Sequence, residues 1–139
     1  MKEYKQAPID EDTILQEPAV SYATGSFYQL SVQNISKNYI KQVLILSQLT
    51  VLELISIIPV SIDTYKRKSA FNPNVTEKIL EIEEVYRKGI EAFGGSFHQW
   101  MITENIALGS VTPKTLLKNS FGIRLLLDEI GRLEYGVLA

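Results

Sequence analysis

From Ile35 onward apolar residues return every three or four positions, and before Ile35 they do not. That change divides the chain into an irregular start and a helical remainder. Ser36 stands at the head of a first stretch in which Ile40, Val43, Leu44 and Leu46 fall at helical spacing. Thr50 and Glu53 then form a capping box: the hydroxyl accepts the N–H of the third helical residue, and the carboxylate reaches back to the N–H of the cap. Leu52, Ile55 and Ile58 give this second helix an inward face, and Pro59, which has no N–H to donate, ends it. Ser61 caps a short third helix within SIDTYKRKS. A longer helix follows Phe71, capped by Asn74 with Glu77 and carrying Ile79, Ile82, Tyr86, Ile90 and Phe93 inward, until Gly94-Gly95 stops it. Ser96 caps a short helix with Phe97, Trp100 and Met101, and Thr112-Pro113 starts another through Leu116 and Leu117. After Gly122 a final helix sets Ile123, Leu126, Leu127, Ile130 and Leu133 on one face. Arg124, Asp128 and Arg132 form an i,i+4 ladder on the other. No stretch alternates with the period of a strand, so the expected fold is all-α.

Composition narrows the chemistry more than the fold. The chain has 139 residues, 45% hydrophobic and 22% charged, which suits an ordinary globular protein. It has no cysteine, which excludes disulfides, thiolate metal sites and cysteine nucleophiles. Its one histidine, His98, leaves too little for a histidine metal site or a catalytic triad. Asp128 and Glu129 are adjacent carboxylates, but arginines stand close by in the same helix, so they read as ion-pair partners rather than as an acid and a base. No metal, no cofactor and no enzymatic activity are expected. The apolar run VLILSQLTVLELISIIPV has nearly the length of a membrane span, yet Glu53 and several hydroxyl and amide residues interrupt it. The N-terminus MKEYKQAPIDEDT lacks the apolar core of a secretory signal, so the expected location is cytoplasmic, with no membrane contact.

Charge is unevenly laid out. Residues 1–34 hold two lysines against five carboxylates, whereas 35–70 hold five cations against two. The positive block coincides with two short helices in tight succession, the second bearing Lys66, Arg67 and Lys68. This is the arrangement of a helix-turn-helix. A DNA major groove admits one helix, and Ser61, Thr64, Lys66, Arg67 and Lys68 are the side chains expected to meet phosphates and bases. The structural alternative is a solvated helix end whose cations suit the helix dipole. The expected organisation is an acidic arm (1–34), a helix-turn-helix module (35–70), a connecting helix (71–95) and a C-terminal helical domain (96–139).

That last domain carries an ordered set of landmarks: Phe93-Gly94, Trp100, Asn105, Leu108-Gly109, Thr112-Pro113, Leu116-Leu117, Gly122 and Tyr135-Gly136. In this order and spacing they resemble the Xre/MbcA/ParS-type antitoxins, partners of RES-domain toxins, over roughly residues 35–139. Val60-Ser61, Thr64 and Lys66-Arg67 match the family's Xre-like helix-turn-helix more loosely. The turn glycine is replaced by Ile58-Pro59, and Ser110 stands where a second glycine is frequent. The resemblance implies an antitoxin that neutralises a NAD-degrading RES toxin through its C-terminal domain. It also implies repression of its own operon through operator DNA, commonly as a homodimer.

The end of the final helix supplies the expected toxin contacts: Arg132, Leu133, Tyr135, Gly136, Val137, Leu138 and Ala139. This segment offers more apolar surface than a small monomer leaves open, with Tyr135 and Leu138 as anchors. The competing function is a stand-alone helix-turn-helix regulator whose C-terminal half only dimerises, and after it a helical adaptor without nucleic acid.

Overall fold

The computed structural model describes residues 14–18 and 24–136. In chain order these form β1 (Ile14–Leu15), α1 (Thr24–Ser31), β2 (Asn34–Ser36), α2 (Lys37–Ser47), α3 (Val51–Ile55), α4 (Ile62–Arg67), β3 (Ala70–Phe71), α5 (Pro73–Phe93), α6 (Phe97–Met101) and α7 (Ser120–Glu134). Short 3-10 helices occupy Gly94–Ser96, Ile106–Leu108 and Pro113–Lys118. Helices dominate, as the periodicity predicts. The departure is a small sheet in the order β1-β2-β3, parallel between β1 and β2 and antiparallel between β2 and β3. Its strands are only two or three residues long, too short for alternation to register in a sequence. The described part of the N-terminal segment is also more ordered than an arm: Ile14 pairs opposite Asn34, and α1 packs on α5. Residues 1–13 and 19–23 lie outside the description.

The centre of the molecule is α5, which contacts α1, β2, α2, α6 and α7. Its first turn is set by Asn72, whose side chain accepts from the N–H of Asn74 at 3.0 Å and of Val75 at 3.4 Å, with Pro73 at the first helical position. The cap is therefore two residues earlier than the Asn74–Glu77 pair. Proline needs no hydrogen bond at that position, and the preceding Asn takes the extended backbone a cap requires. Val75, Ile79, Ile82, Val85 and Tyr86 bury the inward face. Among them Glu83 is fully buried, where it accepts the Tyr39 hydroxyl at 2.5 Å and the Arg87 Nε–H at 3.0 Å. A carboxylate at such a depth survives only when paired and hydrogen-bonded.

Beyond α5 the chain turns back. Phe93, Phe97 and Trp100 stack with centroids 5.5–6.0 Å apart, Phe97 wholly buried and Trp100 half-buried, so this aromatic group is core. The segment opened by Thr112-Pro113 is a 3-10 helix rather than an α-helix, and the Thr112 hydroxyl makes no cap bond. Ser96 likewise makes no cap bond. A landmark glycine has a geometric cause. A Cβ on Gly122 would lie 1.9 Å from the Leu116 carbonyl oxygen, so only glycine lets α7 start against the 3-10 turn. Asn119 caps α7 by accepting the Gly122 N–H at 2.9 Å. Among the described residues no helix is long and apolar enough to cross a membrane.

Candidate functional site

Two surfaces deserve comparison, the cationic end of α4 and the outward face of α7. The first is built by capping. Ser36 accepts the Tyr39 N–H at 3.0 Å, and the Thr50–Glu53 box closes in both directions at 3.1 and 2.9 Å. After α3 the backbone keeps a helical turn, with Ile58 donating to the Leu54 carbonyl at 3.0 Å. Pro59 and Val60 then lead into α4. No residue of this turn has a positive φ, so the absent glycine is not required by the backbone. The left-handed residue of this region is Gln48, between α2 and α3.

α4 is six residues long, and Ser61 and Thr64 are spent on each other. Ser61 Oγ accepts the Thr64 N–H at 3.2 Å and donates to Thr64 Oγ1 at 3.0 Å. Tyr65 is buried and stacks on Phe71, and burial pushes its phenol above the usual range. Lys66, Arg67 and Lys68 are all exposed, and among the described residues none forms an ion pair. Lys37 joins them from α2. Its Nζ donates to the Lys66 carbonyl at 3.0 Å and sits 4.8 Å from the centre of the Tyr65 ring. The result is four cations around one helix C-terminus, a location that favours positive charge and offers it to a polyanion.

The second surface is α7. The Arg124–Asp128–Arg132 ladder does not form. Arg132 instead grips Glu129 with Nε at 3.0 Å and Nη2 at 2.5 Å, which holds its guanidinium above the ordinary range. Glu129 is nearly buried, and the fork geometry of a guanidinium satisfies both its oxygens, which Asp128 on the solvent side cannot match. Arg124 lies over the Phe121 ring at 6.0 Å. Leu133 and Tyr135 are exposed, and Gly136 ends the description with a φ of +59°. Val137, Leu138 and Ala139 lie outside the described residues.

Two further side chains belong here. Phe121 is 76% exposed and Leu125 50%, on the side opposite Ile123, Leu126 and Ile130. The sequence signal was available: once the inward set is fixed, positions 121 and 125 fall on the polar side yet carry large apolar groups.

Between these surfaces the chain is tied by polar contacts. Lys114, on the 3-10 helix, forms an ion pair with Glu53 of the capping box. Burial pushes the Glu53 carboxyl up, but the hydrogen bonds from Lys114 and Thr50 outweigh it and hold the group below its usual range. His98 Nε2 lies 2.9 Å from the Leu46 carbonyl, so the one histidine is engaged at the end of α2. A cleft of about 300 Å³ lies between, lined by Ser47, Gln48, Tyr86, His98, Gln99 and Lys114. Among the described residues no group of His, Asp and Glu is placed to hold a metal ion.

With this geometry in place, comparison with known families finds likenesses over part of the chain. Residues 89–136 match the model of the antitoxin Xre/MbcA/ParS C-terminal toxin-binding domain, which takes in the end of α5, α6, the 3-10 turns and all of α7. A curated relative extends the likeness. Antitoxin Xre of Yersinia enterocolitica serotype O:8 / biotype 1B is 35% identical over 72 residues, which cover 50% of this chain and 49% of that protein. The match thus spans about half the length of each. Both likenesses are to antitoxins, the first over the C-terminal third of the chain and the second over about half of it.

Proposed function

We propose that this protein neutralises a RES-domain, NAD-degrading toxin by covering its active site with the C-terminal part of α7. In the same reading it represses its own operon through the cations around α4. The observation that carries the first half is the coincidence of two facts. The segment matched by the toxin-binding model ends in an α7 turn that leaves Leu133 and Tyr135 in solvent, instead of folding them into the core. Apolar and aromatic groups left outward on a small protein are what a protein partner buries. Arg132 is pre-positioned by Glu129, which lowers the entropy lost on docking. Val137, Leu138 and Ala139 extend the same contact, and the protein works in the cytoplasm beside its toxin.

The test is co-expression of the full chain with the toxin gene beside its own. The expected result is growth rescue, a preserved NAD pool and co-purification of the two proteins. Continued arrest with both proteins present and soluble would remove the reading. Truncation before Tyr135 should leave the fold intact and abolish rescue.

A specific observation favours the DNA-binding half: Lys37, Lys66, Arg67 and Lys68 gather on one side with no acid partner among the described residues. Lys66→Ala with Arg67→Ala should weaken operator binding and flatten its dependence on salt by about 0.9 per lost phosphate contact. Binding by a homodimer to a two-fold operator is the expected form. If DNA is bound and no toxin is, the chain is a stand-alone helix-turn-helix regulator instead.

A further inference from the structure

We infer that the toxin is gripped first by the outward face of α7, with Phe121 and Leu125 as anchors and Arg124 and Asp128 as the charges that set its orientation. This deepens the antitoxin reading and rests on it. Positions 121, 125, 128, 132 and 135 recur at steps of three or four, with 124 three after 121 and four before 128, so they form one stripe along a helix, spanning roughly 20 Å at 1.5 Å per residue. Along it stand Phe121 at 76% exposure, Leu125 at 50% and Tyr135 at 78%. The opposite side is the core face, where Ile123, Leu126 and Ile130 are buried. α7 is thus apolar on both sides, and among the described residues only one of them has a partner.

Charge on the stripe points to the kind of partner. Arg132 is neutralised by Glu129, whereas Arg124 and Asp128 form no ion pair among the described residues. Arg124 lies over the Phe121 ring. One cation and one anion one turn apart, flanking two apolar anchors, fit a surface with an apolar groove, a carboxylate opposite Arg124 and a basic group opposite Asp128. The occupant is the toxin, because the model of a toxin-binding domain covers the whole of α7. The stripe reaches almost four turns upstream of Tyr135, so it holds the toxin body while the end of the helix covers the active site.

Phe121 and Leu125 touch solvent, so their loss leaves the fold in place and the test is clean. The full-length chain and its toxin are titrated by calorimetry, with circular dichroism confirming the helix content of each variant. Phe121→Ala with Leu125→Ala should weaken binding by on the order of 100-fold. Ile45→Ala, an equally exposed apolar position on α2, should change it less than about threefold. Arg124→Ala should weaken binding and reduce its dependence on salt. Wild-type affinity in the double variant overturns the inference while leaving the antitoxin reading standing. No binding by the wild-type chain overturns both. If the double variant changes only the oligomeric state in sedimentation, with toxin affinity unchanged, the stripe joins two copies of this chain and the inference fails.

Discussion

α4 and α7 both end in cations, yet the two ends are built in opposite ways. At α4 the charges of Lys66, Arg67 and Lys68 point outward, without an acid partner among the described residues. At α7 Arg132 is locked in a two-pronged bond to Glu129. A free charge costs little in water and is available to a polyanion, whose released counterions drive binding. A tied charge gives up that availability for a fixed position, which is what a shaped protein surface needs. Position in sequence does not distinguish the two kinds of arginine. Their neighbours do.

Breaking tied charges should produce the largest effects, and the deepest tie is the extreme case. Glu83 is fully buried and receives Tyr39 and Arg87. Glu83→Ala removes the buried acceptor shared by the Tyr39 hydroxyl and the Arg87 guanidinium and should cost about 3–5 kcal/mol, the range for breaking a buried pair. Thermal or urea unfolding measures it, and a loss below about 1 kcal/mol would show that Glu83 is not structural. Glu129→Ala should lower the melting temperature by less than Glu83→Ala does, because Arg132 is already largely in solvent. Its sharper readout is binding: toxin affinity should fall although Glu129 itself is nearly buried. Unchanged affinity would mean that a positioned Arg132 is not needed, and the contrast between the two helix ends would lose its functional half.

Much of this was readable from residue order, and the failures have a common cause. Ser36, Thr50 with Glu53, and Ser61 cap their helices as expected, because a cap is decided within four residues. The inward faces of α5 and α7 follow from spacing, since a long helix averages out single exceptions. What was missed depends on contacts between distant residues. β1, β2 and β3 exist only by pairing across the chain, and α1 has few apolar residues and is held by its contact with α5. The Arg132–Glu129 pair displaced the expected ladder because Glu129 is drawn toward the core, which no spacing rule reports. Phe121 and Leu125 are legible in the sequence as large apolar residues on the polar side of α7, a weaker signal than the run of apolar residues at its end.

The smallest effect separates a tied carboxylate from a crowded one by the sign of its pH response. Glu53, held by Lys114 and Thr50, has its carboxyl lowered in the fold. The unfolded state therefore binds the proton more tightly, and Glu53 contributes stability above its unfolded pKa that is lost as pH falls through the lower folded value. Glu81 is the reverse. Burial raises it most, Lys78 at 3.8 Å from Oε2 pulls it back in part, and the charges of Glu77 and Glu84 add to the rise; among the described residues Oε2 has no hydrogen-bond partner. Here the folded state holds the proton more tightly, so stability drops as pH rises through the acid range and stays lower at pH 7. Glu81→Gln should therefore raise the neutral-pH melting temperature slightly, while Glu53→Gln should lower it. Each change should stay within about 1 kcal/mol, since Glu53 is more than one-third exposed and screened by solvent. Melting curves from pH 3 to 7 on the two variants should diverge in opposite directions from the parent as the pH increases. Parallel curves would mean that neither carboxyl senses the fold, and that the Lys114 contact is a surface pairing without consequence.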